Sequence, residues 1–149
     1  MTLNGGTFNT GGLSEHGLTN NTAGIGALTL QSTSTIDMGS GSSVVAFANS
    51  KSSSWTGTLN IYNWSGNPGT GGGTDQLYFG SDATGLTAAQ LLEIQFYSGN
   101  GTGPYGTGAL ILANGEIVPT PEPSTYLAAI LGLGASFYFR RKRACTLAV

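Results

Sequence analysis

As far as Pro119, clusters of Gly, Ser and Asn cut the chain into short pieces. Pieces this short can form strands but scarcely a helix. The clusters are Gly39-Ser40-Gly41-Ser42-Ser43 and the stretches 49–54 and 67–74. Their Gly and Asn residues tolerate the positive φ that tight turns require. Between them lie 28–30, 35–38, 44–48, 58–64, 76–79, 94–97 and 109–112, all rich in β-branched, aromatic or Leu residues. Leu59-Asn60-Ile61-Tyr62 alternates apolar with polar, the period of a half-buried strand. Asn114-Gly115, between 109–112 and 116–118, is the strongest hairpin signal in the chain. One short helix interrupts the pattern. Thr87-Ala88-Ala89-Gln90 has the spacing of a capping box. Leu91, Leu92 and Ile94 are expected on the buried side of that helix, with Leu86 as its hydrophobic staple.

The fold class is therefore all-β, and two architectures fit. One is a β-sandwich of many short strands. The other is the end of a parallel β-solenoid, closed by the short helix and the hairpin. The solenoid is preferred. Gly makes up 25 of the 149 residues, charged residues only 8%. Small and neutral residues suit narrow rungs with tight corners, where bulky side chains have no room. Charge is also uneven. All seven acidic residues, but only Lys51 of the five cations, precede the terminal basic block. An acidic, Lys-poor body argues against nucleic acid as a partner. The single cysteine, Cys145, lies beyond that block, so no disulfide holds the body. Met1-Thr2-Leu3-Asn4 opens with neither a basic nor an apolar leader region. The chain is accordingly expected to be the C-terminal part of a longer solenoid, with residues 1–118 as its exported body.

Three unlike pieces follow. The stretch 119–125 is Pro-rich, and each Pro lacks a donor N–H and biases the preceding residue to extended geometry. The run 126–139 is apolar and uncharged, carrying Tyr126, Leu127, Ile130, Leu131, Gly132, Leu133, Gly134, Phe137 and Phe139. Arg140, Arg141, Lys142 and Arg143 then form a basic stop, and 144–149 form a tail. As a helix, 126–139 would rise about 21 Å against a bilayer core of about 30 Å. It is expected to be a marginal transmembrane helix, lengthened by the snorkelling stems of Arg140 and Arg141. A buried core helix is the alternative for a run this short, but a core helix rarely ends in four cations. The basic end should stay in the cytoplasm, which puts everything before Pro121 outside.

The order of these pieces resembles the PEP-CTERM sorting signal of bacterial surface proteins. Pro121-Glu122-Pro123 matches the signature tripeptide, and Ser124 follows it as in that family. The resemblance implies recognition by an exosortase, a membrane-embedded cysteine protease, with the inner membrane as first location and the cell surface or extracellular matrix as destination. Membrane lipid and extracellular polysaccharide are further implied partners. A softer resemblance covers the body. Leu3-Asn4-Gly5-Gly6-Thr7-Phe8 and Gly26-Ala27-Leu28-Thr29-Leu30 look like the rung motif of autotransporter-associated β-strand repeat proteins.

No catalytic residue, cofactor or metal ligand is assigned. G-x-S-x-G does not occur, and His16 is the only histidine, too few for a zinc site without cysteines in the body. Thr70-Gly71-Gly72-Gly73-Thr74-Asp75-Gln76-Leu77 approaches a calcium-binding nonapeptide, but with no tandem copy it reads as an ordinary Gly-rich loop. Trp55, Tyr62, Trp64, Tyr78 and Tyr97 could line a carbohydrate-binding face, although core and strand packing is their expected role. The leading function is a non-catalytic surface or matrix protein. The alternatives are a carbohydrate- or ice-binding surface module, or the C-terminal fragment of a larger surface enzyme.

Overall fold

The computed structural model describes residues 1–14 and 24–120. Its elements are, in order, β1 (Thr2–Asn4), β2 (Thr7–Asn9), β3 (Thr29–Ser32), β4 (Ser34–Asp37), β5 (Val44–Phe47), β6 (Leu59–Tyr62), β7 (Gln76–Phe79), α1 (Ala88–Leu92), β8 (Ile94–Tyr97), β9 (Pro104–Thr107), β10 (Ala109–Ile111) and β11 (Ile117–Pro119). Among the described residues strands dominate and α1 is the single short helix, as the turn spacing requires.

Most strand pairs are parallel. β1 pairs with β3, β5 with β7, and β2, β4, β6 and β8 pair in that order. The chain thus crosses the same sheet repeatedly in the same direction, and equivalent side chains stack. Phe8, Ile36, Ile61 and Phe96 form one inward column. Val45 lies on Leu77 and Phe47 on Phe79, the last two rings stacked at 5.1 Å. Apart from Phe8, which is half-buried, every side chain in these columns is fully buried. A completely buried Leu, Ile or Phe contributes about 1.5–3 kcal/mol, so the columns are the core of the structure.

Corners between strands are filled by small residues for a visible reason. A Cβ on Gly39 would stand 2.6 Å from the Gly12 amide nitrogen, and one on Gly41 2.7 Å from the Gly12 carbonyl oxygen. Backbone stacks directly on backbone there, and any side chain would push the layers apart. Inward-pointing serines complete other corners. Ser34 takes the Gly5 N–H and donates to Ser32 O; Ser50 takes the Leu28 N–H and donates to Ala48 O. Each hydroxyl satisfies backbone groups that the chain reversal leaves unpaired.

At the C-terminal end the parallel order stops. β9 runs antiparallel to β8, and β10 with β11 forms a hairpin. Glu116 bridges Tyr78 antiparallel and Phe79 N–H donates to Gly115 O, so the hairpin sits against β7. Trp64 packs edge-on against both Phe96 and Tyr105, which ties β9 to the core.

The expected helix has its capping box: Thr87 Oγ1 accepts the Gln90 N–H while Gln90 Oε1 accepts the Thr87 N–H. Leu86 and Leu91 both pack on the core. Leu92 does not; it is 73% exposed, because the helix ends there and Glu93 turns the chain into β8. β9 lies outside the strands expected from sequence, and Pro and Gly, its first and third residues, are both poor strand formers. Pro104 opens the strand, a position where its missing N–H costs little. Pairing also reaches past 118. Pro119 lies opposite Ala109 and Thr120 N–H reaches Gly108 O.

Candidate functional site

The sheet β2-β4-β6-β8 buries one face and turns the other outward. In β4, β6 and β8 the residues alternate buried and half-buried. Its outward face carries Thr7, Thr35, Asn60 and Gln95 in one column, and Asn9, Asp37 and Tyr62 in the next. The first column is Thr on two layers only, then amide. Tyr97 continues the second column, its ring edge-on to Tyr62 at 5.3 Å. Its hydroxyl donates to Gln95 Oε1 at 2.7 Å.

Where these strands end, a side-chain network crosses the layers. Asn9 Nδ2 donates to Asp37 Oδ2 at 2.9 Å, Asn63 Nδ2 to Asp37 Oδ1 at 2.7 Å, and Asn63 Nδ2 again to Asn100 Oδ1 at 2.7 Å. The partners are 28, 26 and 37 residues apart in sequence, so each bond joins one layer to the next. Asn63 is the only described non-Gly residue with positive φ, at 56°. Asn tolerates this region better than most residues. Beside the network opens a shallow cleft of about 390 Å³, lined by Gly39, Ser40, Gly41, Asn63, Ser65, Thr74 and Ser98. A second depression of about 240 Å³ lies at the helix, with Lys51, Trp55, Gln90 and Glu93 in its wall.

Among the described residues two carboxylates are buried, and both serve the fold. Asp75 accepts Ser43 N–H at 3.0 Å, Ser65 N–H at 2.9 Å and the Ser65 hydroxyl at 2.6 Å. Glu116 accepts Gly72 N–H with both oxygens, at 2.8 and 3.0 Å. The glycine run 71–73 thus gives its central N–H to a carboxylate of the same chain, while the Gly71 N–H turns back to Asn67 O. All three of its glycines have positive φ, a conformation that glycine adopts without strain. Burial, reinforced by the Glu116 carboxylate, raises the Tyr78 hydroxyl above the usual tyrosine value. The Thr84 hydroxyl and backbone N–H hold Asp82 below the usual carboxylate value.

Of the five aromatic candidates, only Tyr62 and Tyr97 stand on the outward face. Trp64 and Tyr78 are buried, and Trp55 is half-buried with its Nε1–H bonded to Leu28 O. The Trp64 Nε1–H is buried without a partner. Among the described residues no group of three His, Cys, Asp or Glu side chains could hold a metal. The sorting residues Pro121, Glu122, Pro123 and Ser124, the apolar run 126–139 and the basic stop Arg140 to Arg143 lie outside the described residues, as does His16. Among the described residues, no helix is long and apolar enough to cross a membrane.

Sequence reasoning missed the cleft because its residues form no contiguous motif. A signal existed, however. Asn9-Thr10-Gly11 and Asp37-Met38-Gly39 repeat the same turn, in which the Asx side chain accepts the N–H two residues on. Aligning these turns stacks the layers and brings Asn63 beside Asp37. No protein family, curated protein or solved structure matches this chain.

Proposed function

We propose that this chain is the closing end of a β-solenoid in a non-catalytic surface or matrix protein, exported and then processed at Pro121-Glu122-Pro123 by an exosortase-type membrane protease. The observation that carries the body of this reading is the change of strand direction. In-register parallel layers support a solenoid, and the antiparallel β9 and the β10–β11 hairpin are what would close its last layer. A parallel stack left open would offer its edge to other chains.

The sorting half of the reading is supported by the sequence. Two prolines around Glu122 keep the backbone extended, so it can enter a protease cleft where a helix could not lie. The apolar run 126–139 and the basic block behind it would hold that tripeptide at the outer membrane boundary. Thr120, which still bonds to Gly108 O of the body, directly precedes the tripeptide in sequence.

Immunoblots of membrane and medium fractions, from hosts with and without the exosortase, test this. Glu122→Ala should leave an uncut membrane-bound precursor. Neutralising Arg140 to Arg143 should release uncut protein instead. Complete maturation of Glu122→Ala, or maturation without the protease, would refute the sorting reading.

A further inference from the structure

We propose that the cleft between Ser40, Asn63, Thr74 and Ser98 binds one ring of a neutral saccharide chain, with Tyr62 and Tyr97 as its aromatic margin. The lining consists of glycine, serine, threonine and asparagine residues and carries no charged side chain. The two carboxylates bonded to lining residues are already occupied: Asp37 Oδ1 accepts Gly39 N–H and Asn63 Nδ2–H and its Oδ2 accepts Asn9 Nδ2–H, while Asp75 accepts Ser43 N–H, Ser65 N–H and the Ser65 hydroxyl. An ionic ligand would therefore find no counter-charge, and an anionic one would meet an acidic body.

What the cleft does offer is hydroxyl chemistry. The Ser40 and Thr74 hydroxyls make no side-chain hydrogen bond within the described residues, so each can both donate and accept. Asn63 spends both amide hydrogens, on Asp37 and Asn100, which aims its carbonyl oxygen as a fixed acceptor. Ser65 and Ser98 donate to Asp75 and Gly103, and their oxygens remain able to accept. Alternating donors and acceptors without charge match the hydroxyls of a sugar ring.

Tyr62 and Tyr97 do not line the cleft themselves; they immediately precede the lining residues Asn63 and Ser98 and stand half-buried on the outward face. A sugar's apolar C–H face lies well on such a ring, while its hydroxyls face the polar wall. The volume falls within the range of about 300–1,000 Å³ usual for small-molecule sites. The open form suits a ring within a chain better than a free monosaccharide. Walls come from three successive layers, so the site exists only when the layers are stacked.

This inference does not rest on the sorting reading, which concerns residues 121–143; either can fail alone. The test is calorimetric titration of the full chain in zwitterionic detergent, using cellohexaose, laminarihexaose and maltohexaose, with an alginate oligomer as the anionic comparison. At least one neutral oligosaccharide should bind at millimolar concentration or below. Tyr62→Ala and Thr74→Val should each weaken it about tenfold, a loss equivalent to ~1.4 kcal/mol. Thr74 is exposed, so Thr74→Val decides the matter even if Tyr62→Ala fails to fold. No binding of any neutral oligosaccharide, unchanged binding by Thr74→Val, or alginate binding as tight as the neutral ligands would each overturn the proposal.

Discussion

Asp75 shows how much a single residue can do in so thin a structure. The residue is 1% exposed, and its carboxylate ties the start of β5 to the loop after β6 through Ser43 and Ser65. Asp75→Ala would leave the buried Ser43 N–H without an acceptor and release Ser65. Hydrogen bonds to a charged group contribute about 1.5–3 kcal/mol each, and a stranded donor costs about 1–3 kcal/mol more. A loss of about 3 kcal/mol in urea unfolding is expected; a loss below about 1 kcal/mol would show the carboxylate to be dispensable. The sequence presented Asp75 as a near-miss to a calcium loop. What it could not display was that its partners sit 32 and 10 residues away in sequence. Long-range partners of this kind are set by how the layers stack, which no local motif encodes.

At the scale of elements, legibility followed local chemistry. β7 and β8 fall on the expected residues, because apolar runs bounded by turn residues mark strands directly. The capping box likewise identified α1, since both halves of the motif lie within four residues. β9 stayed hidden because its strand character comes from pairing with β8, not from Pro104 or Gly106 themselves. The hairpin was legible but its turn was not. Gly115 N–H donates to Leu112 O, so Ala113 and Asn114 are the central pair, and Gly115 follows at φ +84°. This is the longer turn with a left-handed glycine, not the two-residue one. Gly115→Ala should therefore weaken the hairpin twice over. It adds left-handed strain of about 1–2 kcal/mol, and its Cβ would meet the Gly80 carbonyl oxygen. The expected result is a clear fall in urea midpoint at unchanged m; a midpoint equal to the parent would mean that the hairpin does not rest on β7.

The whole molecule joins an acidic body, stacked layer on layer, to a basic terminus. The solenoid reading leaned on low charge and small residues, and the corners explain why those properties matter: Gly12, Gly39 and Gly41 stack where no Cβ fits. The terminal segment rests on a different kind of argument, from order and charge along the chain, and it makes one claim that can be checked directly. If residues before Pro121 lie outside the membrane and Arg140 onward inside, as proposed, Cys145 is shielded from the periplasm. The measurement is labelling with a membrane-impermeant maleimide in intact spheroplasts lacking the exosortase, on the chain placed behind an export leader. A cysteine introduced at exposed Ser52 serves as the outward marker. The account predicts labelling at position 52 and none at Cys145 until the membrane is permeabilised. Efficient labelling of Cys145 in intact spheroplasts would contradict it.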